Sequence, residues 1–143
     1  AGVRDCPCKC NDWAHHTEAQ IEVIKQIHTF LIEHYEEHYT IDDLSERFEM
    51  SPTVLKKCFK GVYGDSIYAY MKRFRLQVAE KMLKESAMTV GEIAARIGYL
   101  NPNKFTSAFC AEYGMPPSEY RKKVWDKCRK VYFDKYMETI KYA

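Results

Sequence analysis

Apolar residues recur every three or four positions along most of this chain, a spacing that predicts amphipathic α-helices rather than strands. Thr17 and Gln20 form a capping-box pattern, and the apolar stripe behind them predicts a first helix to about His38. Another stripe predicts a long helix over 66–85. The expected core positions of that long helix are Ile67, Tyr70, Met71, Phe74, Val78, Met82 and Leu83.

The chain also repeats a pattern of helix starts and stops at an interval of fifty residues. Ser51-Pro52 and Asn101-Pro102 each place a capping residue before a proline that is tolerated at the first helical position. Gly64 and Gly114 stand where a left-handed residue ends a helix. Apolar and aromatic positions coincide as well: Leu55 with Phe105, Phe59 with Phe109, Tyr63 with Tyr113 and Tyr70 with Tyr120.

A short helix is predicted ahead of each of these two capped helices. Thr40 opens the first short helix, and Thr89 opens the second with Glu92 as its capping-box partner. A short helix, a turn and a second capped helix, used twice, predict tandem helix-turn-helix modules. The turn of the second module is expected to be one residue longer, 98–101 against 49–51.

Composition is ordinary for a soluble chain of 143 residues, but charge is unevenly distributed. Residues 18–50 carry nine acidic and two basic side chains, whereas residues 51–84 carry two acidic and eight basic ones. Clustered basic charge builds the field that phosphates experience, so nucleic acid is the expected partner. The acidic stretch either faces away from DNA or is a solvated helix surface. No apolar run is long enough for a membrane span, and no membrane partner is expected.

The stretch IAARIGYLNPNKFTSAFCAEYGMPPSEYR resembles the signature of the AraC/XylS transcription regulators. In that family the second helix-turn-helix is followed by a phenylalanine, an aromatic-glycine pair and a Pro-x-x-Tyr-Arg close. Here these are Phe109, the Tyr-Gly pair at 113–114 and the residues 117–121. The first half of the chain resembles the family too, and the similarity covers about residues 20–123. One departure is Cys110, which stands where a lysine is common.

The resemblance implies an all-α fold with two helix-turn-helix subdomains joined by a long linker helix, the homeodomain-like arrangement of AraC-type proteins. The implied organisation is a cysteine-rich linker or tail at 1–16, a DNA-binding domain at 17–123 and a C-terminal helical extension at 124–143. Within the DNA-binding domain, the first helix-turn-helix is expected at about 40–64, the linker helix at 66–85 and the second helix-turn-helix at about 89–114.

The same resemblance implies a bacterial, cytoplasmic transcription regulator that acts as an activator. Its implied partners are double-stranded DNA and RNA polymerase. The ligand-sensing and dimerisation domain of the family has no counterpart in this sequence, so an upstream effector-binding domain is expected to be missing from it. No cofactor is expected for the fold.

In a helix-turn-helix, the second helix lies in the major groove and the first braces it. Lysine can donate to guanine or to phosphate, and asparagine can pair with adenine. The alternative is a solvated polar face on both helices. The residues expected to contact DNA are those opposite the core side: Thr53, Lys56, Lys57 and Lys60 on helix 52–63, and Asn103, Lys104 and Ser107 on helix 102–113.

The long helix predicts how two such readers could share one chain. About twenty residues span roughly 30 Å at 1.5 Å per residue, close to the roughly 34 Å of one turn of B-DNA. Two recognition helices at its ends could enter successive major grooves. The sequence therefore predicts an asymmetric DNA site read by two different helices.

Cys6, Cys8 and Cys10, with His15 and His16 nearby, are the one cluster outside the resemblance. Thiols and imidazoles can hold zinc or copper, and a metal- or redox-responsive regulator is one alternative function. The alternating spacing differs from the two-residue gap of structural zinc sites, so we interpret the cluster as a remnant and expect no metal. A helical protein-interaction module is the other alternative. No serine elbow, phosphate loop or His-Glu-x-x-His motif occurs, and no enzymatic activity is expected.

Overall fold

The computed structural model describes residues 16–141, with side chains up to residue 138, and every regular element in that range is an α-helix. The all-α prediction is therefore confirmed. Within the described residues, no helix combines the length and the apolar character that crossing a membrane requires. The helices are α1 (Glu18–Glu33), α2 (Ile41–Arg47), α3 (Pro52–Tyr63), α4 (Ile67–Glu85), α5 (Val90–Arg96), α6 (Pro102–Tyr113) and α7 (Pro117–Lys141).

Five helices begin at the capping residues that the sequence predicts. Thr17, Thr40 and Thr89 each accept a hydrogen bond from the backbone N–H three residues on, and the side chain of that third residue accepts one from the threonine N–H. Ser51 and Asn101 cap α3 and α6, both of which begin at proline. These side chains satisfy N–H groups that a helix start leaves unpaired, so each start is set by local sequence.

The two predicted left-handed stops are also confirmed. Gly64 has φ 83° and Gly114 has φ 77°, and their N–H groups donate to the carbonyls of Lys60 and Cys110, both at 2.8 Å. A side chain at either glycine would be strained because its backbone lies in the left-handed region. The two second helices therefore end at equivalent points of the repeat.

The first helix ends earlier than its apolar pattern predicts. α1 stops at Glu33. The backbone N–H of His34 still donates to the Phe30 carbonyl at 3.1 Å, and the ring Nδ1 of His34 lies 2.9 Å from the same oxygen. Glu36 and Glu37 follow, and acidic side chains are unfavourable at the negative end of a helix dipole. The prediction of a helix to about His38 is therefore wrong.

The chain divides into two compact units, one up to Phe74 (unit 1) and one from Arg75 (unit 2). Each unit has a buried core of its own. The first part of α4 contributes side chains to the core of unit 1, and the rest of α4 contributes side chains to the core of unit 2. The core of unit 1 is Ile24, Ile27, Leu31, Leu44, Leu55, Cys58, Phe59, Ile67 and Met71. Buried residues of unit 2 include Leu76, Ala79, Leu83, Ile93, Ala94, Ile97, Phe105 and Phe109.

The division of α4 between the units corrects the single apolar stripe predicted for this helix. Its second half buries Leu76 and Ala79, which the stripe omits, while Val78 and Met82 are only half-buried. A stripe assumes one continuous core along the helix. Because α4 packs into two cores in succession, the buried positions of its second half do not continue those of its first half.

Each unit contains the same pair of tyrosine rings, but the polar partner of the pair differs. In unit 1 the rings of Tyr63 and Tyr70 lie 5.6 Å apart, and the Nε2 of His28 is 2.7 Å from the Tyr70 hydroxyl. His28 also stacks on Tyr63 with a centroid separation of 4.2 Å. Burial lowers the pKa of His28 from its ordinary value. The tyrosine pair of unit 1 therefore favours a neutral imidazole.

In unit 2 a carboxylate takes the place of the imidazole. Tyr113 and Tyr120 repeat the 5.6 Å ring separation, and the Tyr120 hydroxyl donates to Glu80 at 2.5 Å. Lys84 lies 2.7 Å from the same carboxylate. Hydrogen bonds from Lys84 and Tyr120 lower the pKa of Glu80, whereas burial and this carboxylate raise the pKa of Tyr113. The pair in unit 2 therefore favours a charged partner.

The carboxyl end of α4 is capped by side chains from α7. Arg121 donates from Nε to the Leu83 carbonyl at 3.2 Å and from Nη2 to the Ser86 carbonyl at 3.3 Å. The indole N–H of Trp125 donates to the Lys84 carbonyl at 3.2 Å. The last carbonyls of a helix have no partner within it, and a cation there is favoured by the helix dipole. Arg121 thus joins α7 to α4 within unit 2.

We predict that Arg121→Ala lowers the free energy of unfolding of unit 2 by about 2 kcal/mol, because two carbonyls lose a charged donor. Arg121→Lys keeps the positive charge but not the paired N–H groups, so it should lose less. Urea denaturation followed by circular dichroism measures both. Equal stability of the alanine variant and the parent chain would contradict this role.

A second prediction concerns pH. The folded-state pKa of His28 lies below its ordinary 6.5, so between these values the unfolded chain binds a proton that the folded chain does not. Stability should therefore fall as pH decreases through about 6.5 and level off below the folded-state pKa. Melting temperatures between pH 5 and 8 test this, and His28→Gln should remove this part of the pH dependence. Tyr70→Phe should retain it, because burial rather than the hydrogen bond lowers the pKa.

Candidate nucleic-acid interface

The second helix of unit 1 separates apolar from basic side chains. Leu55 and Phe59 are fully buried on one side of α3. Cys58 is fully buried as well, so it packs in the core, and this burial raises its thiol pKa. The four residues predicted to contact DNA are all exposed: Thr53, Lys56, Lys57 and Lys60. The described residues form no ion pair with these three lysines, which leaves their charge available to an anion.

The second helix of unit 2 has the same arrangement with a more neutral outer side. Phe105 and Phe109 are fully buried, and the predicted stripe of Asn103, Lys104 and Ser107 is exposed. Asn103 occupies the first turn of α6, where its backbone N–H donates to the Asn101 side chain at 2.9 Å. The side-chain amide of Asn103 takes no part in this cap. α6 therefore presents hydrogen-bonding side chains with a single lysine among them.

The turns between the paired helices differ in length as the sequence predicts. The Met50 N–H donates to the Ser45 carbonyl at 3.1 Å, and the Tyr99 N–H donates to the Ala94 carbonyl at 2.9 Å. These matched hydrogen bonds place Met50 and Tyr99 at equivalent points of the repeat. One residue separates Tyr99 from the cap of α6, whereas Met50 is followed directly by the cap of α3. The extra residue is Leu100.

Most other charges of the basic segment are neutralised or buried. Arg73 forms an ion pair with Asp65, and Glu80 binds Lys84. Arg75 is only 8% exposed, so its guanidinium belongs to the folded core rather than to the surface. Within the part of the chain that the structure describes, the exposed lysines of α3 are therefore the largest group of basic side chains on the second helices without an ion-pair partner.

Leu100 was not among the residues that the sequence pattern singled out. It lies in a turn, where apolar periodicity gives no information, and its side chain is 101% exposed. The only sequence signal is an apolar residue directly before the Asn-Pro start of a helix, in a position where polar residues are usual for a turn.

The candidate metal ligands Cys6, Cys8 and Cys10 lie outside the described residues. Within the part of the chain whose side chains are described, no group of three or more histidine, cysteine or acidic side chains is placed to hold a metal ion. Of the cysteines in that part, Cys110 is half-buried and Cys128 is exposed.

Two units, each with a braced second helix and an exposed polar stripe, define a tandem helix-turn-helix DNA-binding protein. A family model described as a helix-turn-helix domain matches residues 44–123, more than half of the chain. The chain belongs to the AraC/XylS family of transcription regulators. The family prediction is therefore confirmed.

Individual relatives agree with this assignment. The chain is 30% identical over 106 residues to the transcriptional regulator ExsA of Pseudomonas aeruginosa. The matched region covers 74% of this chain and 38% of ExsA. It is 33% identical over 86 residues to RclR of Escherichia coli, an RCS-specific transcriptional activator, covering 60% of this chain and 30% of RclR. The chain thus spans about a third of the length of these relatives.

A solved structure supports the fold. The DNA-binding domain of the transcriptional factor AdpA, in complex with a target DNA, is similar to this chain with a TM-score of 0.69. The similarity covers 73% of this chain and 94% of that domain, at 23% sequence identity. At this identity the likeness establishes the architecture of the domain.

Proposed function

We propose that this chain binds duplex DNA sequence-specifically, with α3 and α6 as its two recognition helices. The observation that carries the proposal is the exposed polar stripe on each second helix, opposite a fully buried phenylalanine. A recognition helix needs this division, because one side must pack on the brace helix while the other enters the major groove. The family of the chain supports the same function.

The two helices contribute differently to DNA binding. α3 carries three exposed lysines without an ion-pair partner among the described residues, so it supplies most of the attraction to phosphates. Lys57 is assigned to a guanine edge, and Lys60 to the phosphate backbone. Asn103 on α6 is assigned to an adenine, because its amide can donate and accept at the same base edge.

The proposal also assigns the two helices to successive major grooves of one asymmetric site. Its support is that each unit carries one capped second helix with its own exposed polar stripe. A single chain with two different stripes would read a site without two-fold symmetry.

Transcriptional activation, RNA polymerase as the protein partner and a cytoplasmic location are part of the same proposal. The name of RclR as an activator supports the first. An activator has to reach both the chromosome and the polymerase, which in a bacterium share the cytoplasm. An effector-binding domain elsewhere in the whole protein is proposed from the length of the relatives, of which this chain spans about a third.

We predict a steep salt dependence of DNA affinity. Each phosphate neutralised by lysine or arginine contributes about −0.9 to the slope of log affinity against log salt concentration. Lys60→Ala should make the slope shallower by about that amount and weaken binding to all sequences alike. Lys25→Ala, which removes an exposed lysine from the acidic stretch of α1, is the matched control and should change neither quantity. A flat salt titration of the parent chain would refute nucleic-acid binding and favour a protein-interaction module.

Base preference should separate the two readers. In a selection from randomised duplexes, Lys57→Ala should relax the preference at one end of the site and Asn103→Ala at the other. Each substitution should cost about 1–3 kcal/mol of binding free energy at the affected base pair.

The two-reader model makes a prediction that a single recognition helix does not share. Effects of Lys57→Ala and Asn103→Ala should fall on different base pairs and add in the double variant. If both changed the same base pairs, or if Asn103→Ala changed none, only one helix would read the sequence and the other would serve as a brace.

A further inference from the structure

Leu100 is the most exposed large apolar side chain of the described residues. Its exposure is 101%, compared with 77% for Tyr68, the next most exposed. Exposed apolar residues are common on protein surfaces, so exposure alone assigns no role. The position of Leu100 within the repeat is what distinguishes it.

Leu100 is the extra residue that makes the turn of unit 2 one residue longer than the turn of unit 1. The matched hydrogen bonds from Met50 to Ser45 and from Tyr99 to Ala94 align the turns up to Tyr99. Beyond that point, the Leu55 N–H donates to the Ser51 carbonyl and the Phe105 N–H to the Asn101 carbonyl, which aligns the two helix starts. Leu100 therefore has no counterpart in unit 1, where the residue directly before the cap of α3 is the half-buried Met50.

The neighbours of Leu100 hold it at the start of the recognition helix. On one side the ring of Tyr99 packs 5.6 Å from that of Phe105 in the core. On the other side Asn101 is fixed as the cap of α6. With both flanking residues anchored, the exposed Leu100 lies next to the exposed first turn that carries Asn103 and Lys104.

The start of a recognition helix is the part that approaches base edges in helix-turn-helix complexes. Among the groups that base pairs present in the major groove, the apolar one is the 5-methyl group of thymine. We propose that Leu100 packs against a thymine methyl next to the base pairs read by α6, and so determines specificity at one position of the site. The proposal rests on DNA binding by α6, proposed above.

The test removes the methyl group and the leucine side chain separately. In the selected duplex, each thymine in the half read by α6 is replaced in turn by deoxyuridine, which pairs in the same way but lacks the methyl. The parent chain should lose about fourfold in affinity at one thymine, the effect of a single buried group of this size. Leu100→Ala should bind the thymine and deoxyuridine duplexes equally well.

Two further variants serve as controls for this comparison of the methyl group and the leucine side chain. Leu100→Met keeps an apolar side chain and should retain the discrimination between thymine and deoxyuridine. Tyr132→Ala removes a similarly exposed apolar residue from α7, 73% exposed, and should leave the discrimination at its parental value.

The outcomes separate this inference from the proposed function. A parent chain that discriminates at no thymine, or a Leu100→Ala variant that discriminates as the parent does, would overturn the assignment while DNA binding stands. If Leu100→Ala weakened all duplexes alike and kept the discrimination, Leu100 would contact the backbone and the thymine assignment would be wrong. Failure of the parent chain to bind any duplex would refute the proposed function itself.

Discussion

Burial of one phenylalanine on the second helix of each unit is the constraint on which the rest of the structure depends. Phe59 and Phe109 are fully buried and contact the tyrosine pair of their own unit. An α-helix has 3.6 residues per turn, so once the side of the helix that carries the phenylalanine faces the core, the residues that face outward are determined. The polar stripes of α3 and α6 are exposed because their helices cannot rotate without removing a large aromatic ring from its core.

The two tyrosine pairs illustrate how a repeat diverges while its geometry is kept. Both pairs have the same ring separation, but one binds His28 and the other binds Glu80. The imidazole is favoured in its neutral form, whereas the carboxylate is favoured in its charged form with Lys84 beside it. The folded chain therefore favours the deprotonated form of both partners, so protonation of either one opposes folding.

The outer sides of the two second helices diverge in a way that suits different tasks. α3 offers three lysines, which attract phosphates whatever the base sequence. α6 offers an asparagine, a serine and one lysine, which depend more on hydrogen-bond geometry. The extra turn residue Leu100 adds an apolar group at the start of α6 only. The chemistry of the two stripes thus favours affinity from unit 1 and selectivity from unit 2.

The sequence by itself determined the elements whose causes are local. A capping residue, a proline and a glycine fall within the same short segment, and they gave α3 and α6 their correct bounds, Pro52–Tyr63 and Pro102–Tyr113. Helical periodicity then showed which residues of these two helices are exposed. The family could be identified from the same stretch, because its signature residues are close together in the chain.

Tertiary structure decided the features whose partners are distant in sequence. His28 meets Tyr70, Tyr120 meets Glu80, and Arg121 caps the end of α4, in each case across about forty residues. The core positions of α4 changed along its length because two cores share that helix, and a single periodic stripe cannot express this. The full exposure of Leu100 was equally out of reach, since a turn has no periodicity and only packing of the neighbouring Tyr99 leaves the leucine outside. Local hydrogen bonds and helical period can be read from adjacent residues, whereas burial depends on what the rest of the chain brings into contact.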